Sequence, residues 1–405
     1  MSNNIMQGLK VVELGTHVAI PYCTRVLADW GADVVKIEPP RGESYRTIGR
    51  LFRASFEEEN NIFFTPYNVN KKSLCLNLKT PESIEILYKL LEGADVFATN
   101  TRPAAFEKMG LSLDTIREKF PRLIVVHLNG FGDKGEEKDR PGFDAAAFWC
   151  RGGAISEWTA AEDRPFKPFY GYGDAVTSTQ LLAGVLSALY NRERTGKGDI
   201  VHVSLLAAGM WTNVAGIIRG QDVCYGQPPL SHYSPILPLD NFYKTKDGKW
   251  ILISEEHWDK KCDTYLDLIG KPEYKGNPDY CSIMGAIKNT PELVKLFDEG
   301  LAKYTAEELK AVLISIDTVF EFVSNPSDVY KDKQAWDNDF LREVETVGGT
   351  KMVIPNNPIL FDSQGSSECA PAPMLGENSV EVLEGLGYTK EQIAAFSENK
   401  SIIAR

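Results

Sequence analysis

No run of about 18 consecutive apolar residues, the length a membrane-spanning helix needs, occurs anywhere in the sequence. The start, MSNNIMQGLKVVEL, lacks a basic segment followed by an apolar one. A cytoplasmic location with no membrane partner is therefore expected. The seven cysteines (Cys23, Cys75, Cys150, Cys224, Cys262, Cys281, Cys369) include no Cys-x-x-Cys pair. They are read as buried thiols rather than a disulfide framework or a zinc knuckle. The five histidines (His17, His127, His202, His232, His257) show neither H-E-x-x-H nor H-x-H spacing, so no metal is expected. Positive charge is in deficit: a net charge of -12 repels polyanions and removes nucleic acid from the list of partners. A dinucleotide fingerprint is missing from the first loop, which reads GTHVAIP, and the turn Thr195-Gly196-Lys197-Gly198-Asp199 enters a strand without satisfying the P-loop pattern.

What is present is the composition of a globular enzyme large enough for two domains: 405 residues, 43% hydrophobic and 25% charged. Short β-branched runs alternate with helical spacing. LKVVEL (Leu9 to Leu14) and DVVKIE (Asp33 to Glu38) flank a helical segment from Pro21 to Trp30. SLCLNL (Ser73 to Leu78) and DVFAT (Asp95 to Thr99) flank a helix from Pro81 to Leu91 with Thr80 as N-cap. A helix around Leu113 to Phe120 leads to LIVVHL (Leu123 to Leu128), and a long helix from Asp174 to about Arg194 leads to IVHVSL (Ile200 to Leu205). This alternation predicts an α/β fold with a large, open, mostly parallel Rossmann-like sheet, whose ligands sit at the carboxyl ends of the strands.

A Pro- and Gly-rich stretch, GQPPLSHYSPILP, reads as a linker. FYKTKDGKWILISE (Phe242 to Glu255) then reads as a hairpin about Lys246-Asp247-Gly248. Helical segments follow at Trp258 to Gly270, Pro291 to Tyr304 and Thr305 to Ser315, so a smaller α+β domain is expected. In the tail, Val380, Leu383 and Leu386 share a helical face closed by Gly387, and Thr389 caps a last helix. The expected division is residues 1–219 as the first part of a large lobe, 220–239 a linker, 240–327 the small domain, 328–351 a second linker, and 352–405 the rest of the large lobe.

Basic residues concentrate in the first third: Lys36, Arg41, Arg46, Arg50, Lys71, Lys72, Lys79, Arg102 and Lys108. They read either as a local cluster for a phosphate-bearing small ligand or as a solvated basic face.

Six segments in fixed order carry a family resemblance: LADWGADVVKIEPPRGE (Leu27 to Glu43), NKKSLCLNLKTPES (Asn70 to Ser83), NTRPAAFEKMG (Asn100 to Gly110), GYGDAVTSTQ (Gly171 to Gln180), RERTGKGDIVHVSL (Arg192 to Leu205) and LGENSVEVLEGLGY (Leu375 to Tyr388). The sequence resembles the family III CoA-transferases, which include formyl-CoA, carnitine, and aryllactate or 2-hydroxyisocaproate CoA-transferases. The similarity runs almost the whole length. It implies that Asp174 is the catalytic carboxylate, attacking an acyl-CoA to give an aspartyl anhydride and then an aspartyl-CoA thioester from which an incoming acid takes CoA. It implies CoA as shuttled substrate with no other cofactor, acyl-CoA and small carboxylic acids as partners, and an interlocked homodimer. It places CoA contacts on backbone at Val18 and Ala19 and on Leu76, Lys79, Asn100 and Lys108. Arg41, Arg46 and Arg102 are candidate bidentate phosphate clamps.

The residue chemistry of Asp174 admits two readings. An Asp at a helix start is a good N-cap. Flanking glycines also let a thioester approach the backbone and leave N–H groups free for an oxyanion, and a carboxylate exchanges acyl groups through a reactive anhydride.

Departures from the family pattern narrow the chemistry. The glycine run that closes over the aspartate of formyl-CoA transferase has no counterpart between Tyr233 and Glu255, which disfavours oxalate and formate, and Ile20 stands where the family often has Gly. The related acyl-CoA racemases use the His of a G-H-D motif, whereas this chain has Gly142-Phe143-Asp144, and Phe transfers no proton. RPGFDAAAFWCRGG (Arg140 to Gly153) and the ending EQIAAF look most like transferases of amino-acid fermentation that act between (R)-2-hydroxy acids and 2-enoyl-CoAs. Phe143, Phe148, Trp149, Phe169, Tyr170 and Tyr172 suit a branched or aryl acyl group, or equally the quaternary ammonium of a carnitine- or betaine-type substrate. A non-catalytic CoA-binding protein on the same sheet is the reading from another class.

Overall fold

Each short β-branched run becomes a strand of one sheet in a computed structural model, which describes residues 4–160, 163–221, 231–363 and 369–405. Cys224 and part of the Pro- and Gly-rich stretch lie outside the described residues. The chain divides into two compact units, Met1–Ala154 with Lys167–Val214 and Asp332–Arg405, and Ile155–Phe166 with Ala215–Lys331.

In the first unit β1 (Lys10–Leu14), β2 (Asp33–Glu38), β3 (Lys72–Leu76), β4 (Val96–Thr99), β5 (Ile124–Asn129) and β6 (Ile200–Ser204) are all parallel. The spatial order is β3-β2-β1-β4-β5-β6. Beyond β3 the edge is completed by Ile402–Ile403, antiparallel to it, with Ile402 opposite Leu76. β4 and β5 are apolar nearly throughout because both their faces are covered. Val12, Leu74, Phe97 and Val125 pack with Leu87 of helix α2 (Pro81–Glu92) and Leu383 of the tail helix Ser379–Gly385 into one core. Each such buried side chain contributes about 1.5–3 kcal/mol. Helix α1 (Ala19–Asp29) follows β1, α3 (Leu113–Lys119) precedes β5, α4 (Tyr172–Thr195) precedes β6, and α5 (Leu205–Thr212) follows it.

Several local expectations are met and two are not. Gly387 closes the tail helix at φ +84°, and Thr389 forms a capping box with Gln392. Thr80 sits at the expected cap of α2, but its hydroxyl is taken by the Asn77 carbonyl and the hydroxyls of Ser83 and Ser401 instead of the helix N–H groups. The stretch expected as a second linker contains the helix Lys333–Asp337 and the strand Leu341–Glu345, which pairs with Lys351–Pro355.

The second unit carries the hairpin β7 (Asp240–Lys244) and β8 (Trp250–Ser254), joined by a third antiparallel strand, β9 (Val319–Phe322), that the sequence did not announce. Helices α6 (Trp258–Leu268), α7 (Thr290–Leu301) and α8 (Ala306–Ser315) complete it, the last begun by a Thr305/Glu308 capping box. Trp258, Tyr265, Phe297 and Leu309 form its core. Among the described residues no helix is long and apolar enough to cross a membrane.

Candidate active site

β1 lies between β2 and β4, so the chain leaves β1 toward one side of the sheet and β4 toward the other. Such a switch of direction opens a crevice at the carboxyl ends of the strands. A pocket of about 220 Å³ occupies that place, lined by Thr16, His17 and Ala19 after β1, Asn100 and Arg102 after β4, Leu128 to Gly130 at the end of β5, Lys138 and Arg140 to Phe143, and Asp174.

Asp174 is the third residue of α4, not its cap: the cap position is Gly171, at φ +82° with Val18 packed against it. Gly173 is glycine for a packing reason, since a Cβ there would lie 2.7 Å from the Phe148 ring. The expected free N–H groups are not free. Gly173 donates its N–H to Asp144 Oδ2 at 3.2 Å, so Asp144 from a neighbouring segment occupies the positive end of the helix. Among the described residues no group donates a hydrogen bond to Asp174 itself. Desolvation, reinforced by the charge of Asp144, pushes its carboxyl up to about 7. The result is a half-buried, unneutralised carboxylate at the edge of the pocket. The phenols of Tyr45 and Tyr67 are pushed up by burial and feel the charge of Asp174 as well, so both stay protonated.

His17, assigned no role from its sequence spacing, lines the same pocket. Its backbone adopts φ +65°, a left-handed conformation costly for a non-glycine residue. The segment is held there by its N–H on Glu43 Oε2 at 2.7 Å, and the ring packs edge-on against Phe143 at 5.2 Å. Burial, then the nearby Lys36 charge, holds the imidazole below its ordinary pKa, so it is neutral at pH 7. No sequence pattern signals a positive φ at a histidine.

Under this loop lies a buried ionic framework that corrects the reading of the basic cluster. Lys36 pairs with Glu13 at 2.6 Å and Glu43 at 2.8 Å, and Lys71 with Glu13 at 2.8 Å. Arg46 grips both oxygens of Glu38 at 2.7 Å and lies over the Phe64 ring. These cations are neither solvated nor turned to a ligand, because each is consumed by an internal carboxylate. Burial alone would raise Glu13, but Lys36 and Lys71 hold it down to about 2. Burial lowers Lys71 to about 8 despite Glu13.

The remaining CoA candidates separate by position. Ala19 and Asn100 line the pocket, and Val18 is buried beside Gly171. Asn100 ties the β1 and β4 loops together, accepting from Thr16 N–H and donating to Thr16 O. Arg102 and Lys108 share an adjoining hollow of about 190 Å³ with Asp139. Lys79 and Arg41 are exposed and Leu76 is core, its side chain packed within the sheet. Arg46, committed to Glu38, is withdrawn from the phosphate clamps. Lys138 and Arg140, which were not anticipated, also line the pocket, Arg140 being paired with Glu137. Of the flagged aromatics, Phe148 and Trp149 are core, whereas Phe143, Phe169, Tyr170 and Tyr172 are exposed. Phe169 and Tyr170 pack on Phe52, which stacks on Phe63 at 4.5 Å.

Residues 6–379 match the profile of CoA-transferase family III. The (R)-2-hydroxy-4-methylpentanoate CoA-transferase of Clostridioides difficile is 38% identical, the alignment covering 98% of this chain and 99% of that protein. The cinnamoyl-CoA:phenyllactate CoA-transferase of Clostridium sporogenes is 32% identical over 100% of this chain and 98% of its own length. Among solved structures, a CAIB/BAIF family protein from Brucella suis superposes with a TM-score of 0.83 at 24% identity, covering 95% of this chain and 100% of that one, a likeness of fold. Rv3272 from Mycobacterium tuberculosis does so at 0.80 and 26%, covering 94% and 99%.

Proposed function

The chain belongs to CoA-transferase family III and is an enzyme of that class, and we propose that it moves CoA from an acyl-CoA, a 2-enoyl-CoA, to an (R)-2-hydroxy acid through covalent intermediates on Asp174. The observation that carries the reading is the unneutralised Asp174 carboxylate at the edge of a pocket at the strand ends. An oxygen with no donor on it keeps its lone pairs for attack, and desolvation makes it more basic and more nucleophilic.

In the first step an Asp174 oxygen attacks the thioester carbonyl carbon, the C–S bond breaks, and a mixed anhydride and the CoA thiolate form. The thiolate then attacks the Asp174 carbonyl, releasing the donor's acid as a carboxylate and leaving an aspartyl-CoA thioester. The incoming carboxylate attacks that thioester, and the returning thiolate takes the new acyl group and frees Asp174. The starting and final thioesters are of similar energy, the anhydrides between them are more reactive, and no electrons or metal are required by the balance. Neutral His17, which lines the pocket, is the donor offered to the developing oxyanion or to the acid's carboxylate. Arg102, Lys108 and Lys138 offer charge for the CoA phosphates, with Ala19 backbone assigned to the pantetheine arm and Asn100 to the nucleotide.

The 2-hydroxy acid is favoured by the two curated relatives described above and by the exposed aromatics Phe143, Phe169 and Tyr170, which suit a branched or aryl side chain. A homodimer, interlocked through the chain's long connections, is part of the same proposal. Exposed Trp211, Tyr190 and Leu51 are in keeping with apolar surface that a second copy covers. The test is peptide mass spectrometry after mixing the enzyme with a pool of acyl-CoAs, with and without hydroxylamine. A hydroxamate on the Asp174 peptide, absent from Asp174→Ala, is the expected result. No adduct with any donor in protein shown to bind CoA overturns the covalent mechanism, and a crossed assay of donors and acids identifies the pair.

A further inference from the structure

Outside the lining of the Asp174 pocket, two histidines and an aspartate that are far apart in the sequence meet on neighbouring strands of the sheet. His127 on β5 and His202 on β6 are partners in the parallel ladder, so their side chains leave the same face, with rings 6.2 Å apart and at right angles. The loop after β5 turns back over them: Gly132, at φ +101°, donates its N–H to Asn129 Oδ1, and Asn129 Nδ2 donates to Asp133 Oδ1 at 2.8 Å. This delivers the Asp133 carboxylate between the imidazoles, 2.7 Å from His202 Nδ1 and 3.4 Å from His127 Nδ1.

The unusual member is His127. Its side chain is fully buried, and its Nε2 lies 3.3 Å from the Thr101 carbonyl oxygen. A carbonyl only accepts, so that nitrogen carries the proton, and Nδ1 presents a lone pair. That lone pair is buried without a hydrogen-bond partner among the described residues and faces a carboxylate oxygen, itself rich in lone pairs. Two acceptors facing each other repel unless a cation lies between them. A histidine whose outer nitrogen donates to a backbone carbonyl while its inner one points at a carboxylate has the outer-shell arrangement of a metal ligand.

We propose that His127, His202 and Asp133 bind one divalent transition-metal ion of the zinc type, with an open position for water. Two imidazole nitrogens and one carboxylate oxygen match a three-ligand zinc set and disfavour magnesium and calcium, which take oxygen. The donor atoms already lie within 4.8 Å of one another. Bonds of roughly 2.0–2.2 Å require separations near 3.5 Å, so the ion would part the Asp133–His202 pair from its 2.7 Å contact and draw the imidazoles in, shifts that exposed Asp133 and His202 supply while buried His127 stays fixed. The ion would clamp the loop that continues into Lys138 and Arg140 to Phe143, which line the proposed CoA pocket. It has no part in the transfer steps.

The test uses the full chain freed of metal with a chelator and then titrated with Co²⁺ and Zn²⁺. One equivalent of Co²⁺ is expected, with visible bands and no thiolate charge-transfer band, together with a rise in Tm on adding Zn²⁺. His202→Ala and Asp133→Asn, both at exposed positions, are each expected to weaken Zn²⁺ binding at least about tenfold and to abolish the Tm rise. His257→Ala is the control that changes nothing. A thiolate band would put the ion instead at Cys262 and Cys281, which lie beside Asp263. That result, the absence of stoichiometric binding, or binding unchanged in both variants each overturns the proposal.

Discussion

Asp144 accepts the backbone N–H of Gly173, the residue immediately before Asp174, and so brings a second carboxylate against the proposed nucleophile. The helix end that would stabilise a charge on Asp174 is satisfied by another residue, and the like charge adds to the desolvation that raises Asp174. Asp144→Asn keeps an oxygen to accept from Gly173 and removes the charge. The acid limb of the pH dependence of kcat/KM, set by protonation of Asp174, is expected to move to lower pH. An unmoved limb would show that Asp144 does not tune the nucleophile.

Asp174 also makes the fold weaker at high pH. Its carboxyl rises from 3.8 to about 7 in the folded chain. The folded state therefore holds its proton more tightly than the unfolded state does. Stability is unaffected below about pH 4, falls as pH rises between the two values, and stays reduced above 7. Asp174→Asn removes this penalty, which is up to roughly 4 kcal/mol. The variant should be inactive yet unfold at higher urea than the parent at pH 8, with the two curves converging near pH 4.

His17 is predicted to act on the oxyanion. His17→Ala should lower kcat about 10²-fold with little change in KM, and His17→Gln, which restores a neutral donor, should recover part of it. Steady-state kinetics with one donor–acceptor pair decides this. A loss carried in KM alone would make His17 a binding residue.

Glu13 answers to both Lys36 and Lys71 inside the sheet. Glu13→Gln leaves Lys71 buried without that carboxylate and should cost about 3–5 kcal/mol in urea unfolding. Adding Lys71→Met should return part of the loss, since an uncharged pair needs no counterion.

Arg102→Ala and Lys108→Ala should each raise KM for acyl-CoA several-fold, more at low salt, with kcat nearly unchanged. Arg46→Ala should instead lower stability, because it leaves Glu38 buried without its bidentate partner. Kinetics and urea titration on the three variants separate the two kinds of arginine.

The parallel sheet was legible because β4 and β5, covered on both faces, leave near-continuous apolar runs, and the hairpin because Lys246-Asp247-Gly248 is strong turn chemistry. Asp174 stood out through the family resemblance, its glycine frame alone being equally that of a helix cap. What surrounds it did not, since every partner comes from elsewhere in the chain. Asp144 reaches the helix end from another segment, His17 depends on a backbone angle, and Lys36, Lys71 and Arg46 look in sequence like any surface cations. The His127–His202 pairing arises only when β6 is laid beside β5.

Sealing the sheet with Ile402–Ile403 has a consequence for biosynthesis. The backbone edge of β3 is translated early, yet its partner emerges only after the whole of Ala215–Lys331 has left the ribosome. Throughout that interval the nascent chain carries an open strand edge beside Leu74 and Leu76, a surface prone to pairing with other chains. Ribosome-associated chaperones would find their substrate there, and slowing translation late in the message would prolong that exposure.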